Sequence, residues 1–261
     1  MRADVFLFSR GLAKSRTHAA ELIKGGVEIY NKKISKASQD IPEETPLSEI
    51  KIIEPSKYVS RGGLKLEAAL TVFSMDVNGI TALDVGASTG GFTDCLLKHG
   101  ASKVYAVDVG HGQLSAELLR DIRVVNLEGI NAKILTPEII GHKDFALAVS
   151  DVSFISQALI YNSVYTMLCD GGKFISLIKP QFECGPKNLS SGGICKDKKI
   201  HMKVVEELFV KARNAGLFPA ALTVSPITGG DGNTEYLALF VKNQPDAGVS
   251  PEEIKKCIMG A

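Results

Sequence analysis

The spacing of hydrophobic residues in the first 41 positions predicts a small unit of two helices and a hairpin. In RADVFLFSRGL the apolar side chains recur at helical spacing, at Val5, Leu7, Phe8 and Leu12. Ser15 is suited to cap a second helix, RTHAAELIKGG, which Gly25 or Gly26 would end. The alternation in VEIYNKKI then predicts a short hairpin with its turn at Asn31-Lys32.

From residue 64 the pattern changes to apolar strands separated by helices. After an amphipathic helix, LKLEAALTVF, the strands read TALDVG, KVYAVDV, VVNLEG, FALAVSDV and KFISLIK. Helices fit at 91–98, 113–120, 136–141, 155–168 and 198–215. Two last strands, ALTVSPI and EYLALFVK, have no helix between them. This order predicts an α/β, Rossmann-like fold with a mostly parallel seven-stranded sheet whose last strand is antiparallel.

These patterns divide the chain into parts. The segment 42–57, with three prolines and four glutamates, is typical of a linker with one short strand, IKII. The expected parts are an N-terminal unit at 1–57 with its core at 2–41, an interdomain linker at 58–63, an α/β domain at 64–243 and a tail at 244–261. Ser250 as N-cap and Pro251 in the first turn predict a short helix in the tail.

Composition is that of a soluble globular protein, with 45% hydrophobic and 23% charged residues. No apolar run is long enough to span a bilayer, and Asp4 and Arg10 interrupt any secretory signal, so we expect a cytoplasmic location. The five cysteines lack C-x-x-C spacing and the five histidines are scattered, which predicts reduced thiols and no metal site.

Charge is unevenly distributed along the chain. Residues 1–41 carry eight basic and four acidic side chains, a net charge of +4, whereas 42–261 carry 22 and 25, a net charge of −3. An asymmetry of this kind suggests a polyanionic partner for the N-terminal unit, and chance is the alternative.

The stretch LDVGASTGGFT, residues 83–93, is compatible with three chemistries. As a G-x-S-x-G nucleophile elbow it would use Ser88, with Asp151 or Asp170 and His201, but it follows the first strand of its sheet and no oxyanion-donor segment precedes it. As a dinucleotide loop it has Ser88 where a glycine should admit a pyrophosphate. As a loop for S-adenosylmethionine it needs only backbone that passes close to the methionine end.

The third interpretation is favoured. Asp108 ends the second strand, where an acid would accept hydrogen bonds from ribose hydroxyls, although a dinucleotide would use it in the same way. Two closing strands without a helix are typical of methyltransferases and uncommon in dehydrogenases. Asp84 has two interpretations, a donor contact or a cap for the next helix. The predicted donor-binding residues are Asp84, Gly86, Ala87, Ser88, Gly90, Gly91, Asp108 and Asp151.

The ends of the fourth and fifth strands should indicate the methyl acceptor, because open α/β sheets bind ligands there. SDVSF lacks the proline pair found in enzymes that methylate exocyclic amines. Enzymes that methylate carbon five of a pyrimidine use a cysteine nucleophile that follows a proline, and no cysteine of this chain does so. The candidate catalytic residues are Lys65, Asp151, Lys179 and Glu235. They resemble the tetrad of FtsJ-like ribose methyltransferases. A lysine can take a proton from a ribose hydroxyl only when burial or a nearby cation lowers its pKa.

The segment 2–34 resembles the RNA-binding module named after ribosomal protein S-four, which carries basic residues on two helices packed against a hairpin. It departs from that module at the turn, where Asn31-Lys32 replaces the usual Asn-Gly. The resemblance and the charge together predict these RNA-binding residues: Arg2, Arg10, Lys14, Ser15, Arg16, Lys24, Lys32, Tyr58 and Arg61.

Two connecting segments carry further expectations. In YVSRGG, Tyr58 would stack on a base, Arg61 would contact a phosphate and Gly62-Gly63 would form a hinge, with a plain linker as the alternative. The glycine- and lysine-rich segment 183–199 is expected to be a mobile loop that closes over RNA.

Taken together, YVSRGGLKLEAAL, ALDVGASTGGFTDCLL, VYAVDVGHGQL, SDVSFIS, IKPQFE and GGICKDKKIH resemble the TlyA (hemolysin A) family, from Arg2 to about Lys242. This resemblance implies S-adenosylmethionine-dependent 2′-O-methylation of cytidines in ribosomal RNA, with ribosomal subunits as partners. We expect no metal, no membrane association and no obligate protein partner. The alternatives are a ribosome-assembly factor that binds RNA without methyl transfer and an indirectly acting haemolysin.

Overall fold

The computed structural model of the chain describes residues 1–52, 57–229, 232–245 and 248–260, without the side chains of Glu21, Lys24 and Gly25. Two compact units are formed, Met1–Lys57 and Tyr58–Ala261. The segment 58–63, expected to be a linker, lies within the larger unit, because Gly62 already begins its first helix.

The smaller unit has helices α1 (Ala3–Ser9) and α2 (Arg16–Gly26) and strands β1 (Val27–Ile29), β2 (Lys32–Lys33) and β3 (Ile50–Ile52). The three strands form an antiparallel sheet in the order β2-β1-β3. Phe6 and Leu7 of α1 pack with Ile23 of α2 in the core. The two predicted helices and the hairpin are confirmed.

Local details of this unit bear on the predictions. The Ser15 side chain accepts a hydrogen bond from the His18 backbone N–H, which confirms Ser15 as the N-cap of α2. The hairpin turn lies one residue earlier than expected, because Ile29 pairs with Lys32 and leaves Tyr30 and Asn31 between the strands. Both turn residues have positive φ, 50° and 57°, as a type I′ turn requires.

The larger unit alternates helices and strands as predicted. Its elements are α3 (Gly62–Val72), β4 (Thr81–Val85), α4 (Gly91–Lys98), β5 (Lys103–Val107), α5 (Ala116–Leu119), β6 (Val124–Leu127), α6 (Pro137–Ile140), β7 (Phe145–Ser150), α7 (Tyr161–Met167), β8 (Leu168–Ile178), α8 (Pro180–Glu183), α9 (Lys198–Asn214), β9 (Leu217–Val224), β10 (Tyr236–Lys242) and α10 (Pro251–Met259). The helices predicted at 91–98 and 198–215 match α4 and α9 within one residue.

The seven strands form one sheet in the order β6-β5-β4-β7-β8-β10-β9. Neighbours from β6 to β8 are parallel, whereas β10 is antiparallel to both β8 and β9. The fold class predicted from the sequence, including the antiparallel last strand, is confirmed.

Helices cover both faces of this sheet. Along β4, Ala82 packs with Leu66 of α3, whereas Leu83 points into the other hydrophobic cluster, because side chains alternate across a strand. Ser250 caps α10 in a full capping box, as predicted. Ile254 and Ile258 of α10 are buried in the same core as α9, so this helix is part of the domain rather than a tail.

Candidate functional site

The four candidate catalytic residues meet at one edge of the sheet because of the strand order. Asp151 directly follows β7 and Lys179 directly follows β8, so both leave the sheet at the carboxyl ends of parallel strands. The antiparallel register pairs Tyr236 with Ile178, which brings Glu235, just before β10, to that same edge. Lys65 reaches it from α3.

These residues form two ion pairs. Lys65 Nζ lies 2.5 Å from Glu235 Oε2, and Lys179 Nζ lies 2.6 Å from Asp151 Oδ1. Lys179 also donates a hydrogen bond to Ser153 Oγ at 2.7 Å. Both lysines are only 8% exposed and Glu235 is 2% exposed. Charges at this depth require partners, so each pair fixes the position of its ammonium group.

A cavity of about 270 Å³ opens beside both lysines, and it is named the acceptor pocket after the methyl acceptor that the sequence predicts at this edge. Its wall includes Lys65, Lys179, Asp151, Arg61 and the loop residues 86–89. Arg61 is exposed at this wall, which is compatible with its predicted contact to a phosphate.

A second cavity of about 440 Å³ is also lined by the loop after β4, and it is named the donor pocket after the methyl donor that the sequence predicts there. Gly86, Ser88, Asp151 and Ser153 line both cavities, so the two pockets adjoin at the end of β7. Asp108 lines the donor pocket. Its carboxylate accepts hydrogen bonds from the backbone N–H groups of Ser88 at 2.8 Å and Gly110 at 2.7 Å, which ties the loops after β4 and β5 together.

The glycines of the loop have different roles. Gly86 has a φ of +83°, and a Cβ there would lie 3.0 Å from Val152 Cγ1, so this glycine lets the loop approach the segment after β7. A Cβ on Gly90 would lie 2.2 Å from Leu118 Cδ1. Gly90 therefore allows α4 to pack against α5, and its prediction as a donor-binding residue stays a prediction.

Asp84 is fully buried beneath the loop. One oxygen accepts a hydrogen bond from the Thr93 hydroxyl of α4 at 2.7 Å, and the other has no hydrogen-bond partner among the described residues. Burial raises the pKa of Asp84 to about 7, and the Thr93 hydrogen bond acts against this rise. The side chain has no surface open to either pocket, so the prediction of a direct donor contact is corrected in favour of a role in holding α4.

The hydrolase alternative finds no support at Ser88. The backbone of Ser88 has a φ of +49° and its N–H bonds Asp108. His201, its candidate base, is buried elsewhere: Nε2 lies 2.9 Å from Cys195 O and Nδ1 lies 2.8 Å from the Tyr236 hydroxyl. With both ring nitrogens engaged, His201 cannot activate Ser88.

The first residue of the segment YVSRGG, Tyr58, belongs to the hydrophobic core. Tyr58 is 1% exposed in the core of the larger unit, and a Cβ on Gly63 would lie 2.2 Å from Tyr58 Cγ. The Val59 backbone N–H donates to Asp94 Oδ2 of α4 at 2.8 Å. Tyr58 therefore cannot stack on a base as predicted, and Gly63 is needed for close packing rather than as a hinge.

The predicted RNA-binding residues of the smaller unit are largely at its surface. Lys14, Arg10 and Lys32 are exposed, and the Arg10 guanidinium donates to the Glu43 carbonyl. Arg2 and Arg16 both bond the buried Asp4, at 3.0 and 2.7 Å. These two bonds hold the pKa of Asp4 well below its usual range.

Ser15 and Lys24 are two further residues that the sequence predicts to bind RNA. The Ser15 hydroxyl is engaged as the N-cap of α2, which gives it a structural role whatever else it contacts. The side chain of Lys24 lies outside the described part of the structure.

Sequence patterns missed an aromatic pair at the rim of the donor pocket. Phe154 is 87% exposed with a φ of +63°, and its ring lies 5.0 Å from that of Phe182. A large exposed apolar side chain in a strained backbone conformation is a signal of function. The available sequence signal was the aromatic residue three positions after Asp151.

The segment between α8 and α9, residues 184–197, is named the strap here. It contains one short helical turn, Pro186–Asn188, and ends at Asp197, which caps α9. At its start, Glu183 accepts hydrogen bonds from Ser156 Oγ and the Gln157 backbone N–H, both at 2.7 Å. The long predicted loop is present, and its mobility and closure over RNA stay a prediction.

Two features are absent from the described ranges of the chain. Within them, no helix has the length and apolar character needed to cross a bilayer. The same ranges hold no cluster of three or more His, Cys, Asp or Glu side chains arranged to bind a metal ion.

Comparison with known proteins gives consistent relatives. The FtsJ-like methyltransferase family matches residues 58–242. Hemolysin A of Brachyspira hyodysenteriae is 42% identical over 92% of this chain and 100% of its own length. The 16S/23S rRNA (cytidine-2′-O)-methyltransferase TlyA of Mycobacterium tuberculosis is 39% identical over 98% of this chain and 95% of its own. A solved hemolysin-like protein of Streptococcus thermophilus is 40% identical with a TM-score of 0.77, covering 100% of this chain and 94% of that one.

Proposed function

Because this chain belongs to the TlyA (hemolysin A) family, with an FtsJ-like methyltransferase domain at 58–242, we propose that it methylates ribose 2′-hydroxyls of cytidines in ribosomal RNA. The observation that carries this proposal is the pair of adjoining pockets that meet at Asp151, next to the Lys179 ammonium group. One pocket suits a methyl donor and the other suits the acceptor.

We propose S-adenosylmethionine as the donor, which supplies an electrophilic methyl group on a sulfonium. The residues of the donor pocket fit it chemically. The Asp108 carboxylate, which already accepts two backbone hydrogen bonds, retains lone pairs for ribose hydroxyls. Gly86 keeps the wall free of a side chain, and the Asp151 carboxylate is suited to a cation where the pockets adjoin.

The acceptor pocket suits a ribose hydroxyl because its chemistry is proton handling and positioning. A hydroxyl must lose its proton as its oxygen bonds to the methyl carbon, and the activated donor leaves little else for the protein to do. We assign Lys179 to this proton: its neutral amine would accept the hydroxyl proton and become the ammonium group that pairs with Asp151, which lines both pockets. Lys65, held by Glu235, would orient the hydroxyl from α3.

The smaller unit would bind RNA through its exposed cations. Arg10, Lys14 and Lys32 lie at its surface, and such groups bind phosphates without reading sequence. Ribosomal subunits in the cytoplasm are the proposed partners, and the chemistry proposed needs no metal.

The test is transfer of labelled methyl from S-adenosylmethionine to ribosomal subunits and to intact ribosomes, with the product nucleoside identified after digestion. We expect label in 2′-O-methylcytidine, lost in Lys179→Ala. Lys173→Ala, in the middle of β8, is the matched control and should retain transfer. Donor binding without transfer to any ribosomal RNA would contradict the proposal, and label on a base would contradict the ribose assignment.

A further inference from the structure

Cys195 near the end of the strap is held at both of its backbone groups by side chains of other segments. Its N–H donates to Asn233 Oδ1 at 3.0 Å, and Asn233 Nδ2 donates to Gly193 O at 3.2 Å. Asn233 is buried, so its amide uses its acceptor and one donor on the strap backbone.

The carbonyl of Cys195 is held by His201. A carbonyl oxygen only accepts, so His201 Nε2, at 2.9 Å, must carry the proton. In the neutral ring Nδ1 then accepts from the Tyr236 hydroxyl at 2.8 Å. His201 and Tyr236 are both buried, and unmade hydrogen bonds are costly at that depth.

Two residues linked to Cys195, Asn233 directly and Tyr236 through His201, lie on either side of Glu235. Asn233 lies two residues before it and Tyr236 directly follows it. The Asn233 carbonyl accepts a hydrogen bond from Gly229, and a Cβ on Gly229 would lie 2.7 Å from Glu235 Oε1. The segment that contains Glu235 is thereby linked to the strap by the Asn233 side chain, and by the Tyr236 side chain through His201.

At its other end, the strap is connected through α8 to the segments that carry the second ion pair. The strap leaves α8, whose N-terminal neighbour is Lys179, and Glu183 of α8 bonds Ser156 and Gln157 in the segment that follows Asp151 and Ser153. The strap therefore bridges the Lys179–Asp151 pair and the Lys65–Glu235 pair.

From this arrangement we infer that Asn233 is a positioning residue, which couples the strap to Glu235 and so sets the place of Lys65 relative to Lys179. His201 and Tyr236 form a second connection between the same segments. The inference rests on the proposed methyltransferase function for its effect on rate, whereas the connection itself is a property of the fold.

The test uses Asn233→Ala in the full chain. We expect single-turnover methyl transfer at saturating RNA to fall by roughly tenfold to a hundredfold, since small misplacements of reacting groups have effects of this size. Donor affinity, measured by calorimetry, should stay unchanged. Hydrogen exchange at the strap amides, Cys195 included, should become faster.

Asn243→Ala is the matched control, because Asn243 follows the other end of β10. Its side-chain amide also serves as acceptor and donor, since it accepts from the Tyr165 hydroxyl and donates to Asp170. Its φ of 57° would strain an alanine at this position. We expect loss of stability without loss of transfer rate. If Asn243→Ala lost transfer rate to the same extent, general destabilisation would explain the rate loss in Asn233→Ala. The inference would then be overturned.

Tyr236→Phe keeps the test decisive if Asn233→Ala does not fold, since it removes only the hydroxyl. A smaller change in the same direction, in rate and in strap exchange, is expected. Strap exchange or transfer rate equal to the wild-type value in a folded variant overturns the inference. A wild-type protein without transfer to RNA refutes the proposed function instead, and the exchange data still decide whether the strap is coupled to these residues.

Discussion

The two units of the chain differ in whether they bury the lysine side chains that the structure describes. In the smaller unit the cations lie at the surface, and even the Arg2 and Arg16 side chains that bind Asp4 remain 51% and 56% exposed. In the larger unit Lys65 and Lys179 are buried and each faces a carboxylate. Exposed cations bind a polyanion with a strong salt dependence, whereas buried pairs act on groups placed next to them. The difference suggests that most phosphate binding belongs to the smaller unit, whereas chemistry and contacts near the reacting nucleotide belong to the larger unit.

Each unit contains a buried aspartate with a shifted pKa, and the two shifts have opposite directions. Asp4 is paired with two guanidinium groups, which lower its pKa, whereas Asp84 has a single hydroxyl partner and burial raises its pKa to about 7. The two guanidinium partners therefore determine the direction of the shift at Asp4, whereas desolvation determines it at Asp84.

The largest expected effect is on chemistry in the larger unit. Lys179→Ala should slow methyl transfer by at least about a thousandfold, because it removes the proposed proton acceptor. Affinity for RNA and donor should remain close to wild type, measured by filter binding and calorimetry. A comparable loss in Lys173→Ala would show that the effect is not specific to the site.

The next effect concerns the pH dependence of stability. The pKa of Asp84 is raised in the folded state, so its contribution to stability is complete below about pH 4. This contribution is lost as pH rises through about 7, and the loss of unfolding free energy reaches about 4 kcal/mol. Asp84→Asn should remove this loss, as urea denaturation from pH 4 to 8 would reveal.

Asp4 should behave in the opposite way. Its folded-state pKa is lowered, so its contribution is present at neutral pH and is lost as pH falls through the acid range. Parallel pH profiles for Asp84→Asn and Asp4→Asn would contradict the contrast between the two carboxylates.

A smaller effect is expected for RNA binding by the smaller unit. Replacing Arg10, Lys14 and Arg16 together with alanine should weaken RNA binding by roughly thirtyfold and lower the slope of log affinity against log salt by about 2. Donor affinity should not change. If donor affinity fell equally, the assignment of RNA binding to this unit would be wrong.

The smallest effect is at the aromatic pair beside the donor pocket. Phe154→Ala should weaken RNA binding by about tenfold, because stacking of one base on an aromatic ring contributes at this level. Phe154→Tyr keeps the ring and should retain wild-type affinity. Equal losses in both variants would exclude stacking.

The sequence predicts those parts of the candidate site whose position depends on strand order. Asp108, Asp151 and Lys179 follow parallel strands, and the ends of such strands meet at one edge, so their convergence follows from the pattern alone. Features that depend on packing between distant segments were missed. Tyr58 is buried only because Gly63 admits its ring, and Asp84 lies beneath the loop because α4 covers it.

Single-turnover methyl transfer as a function of RNA concentration tests the division of labour most directly. With saturating donor, Lys179→Ala should lower the plateau rate and leave the half-saturating RNA concentration unchanged. The Arg10, Lys14 and Arg16 replacement should raise the half-saturating concentration and leave the plateau unchanged. If each variant changed both quantities to the same extent, chemistry and RNA binding would not be divided between the units.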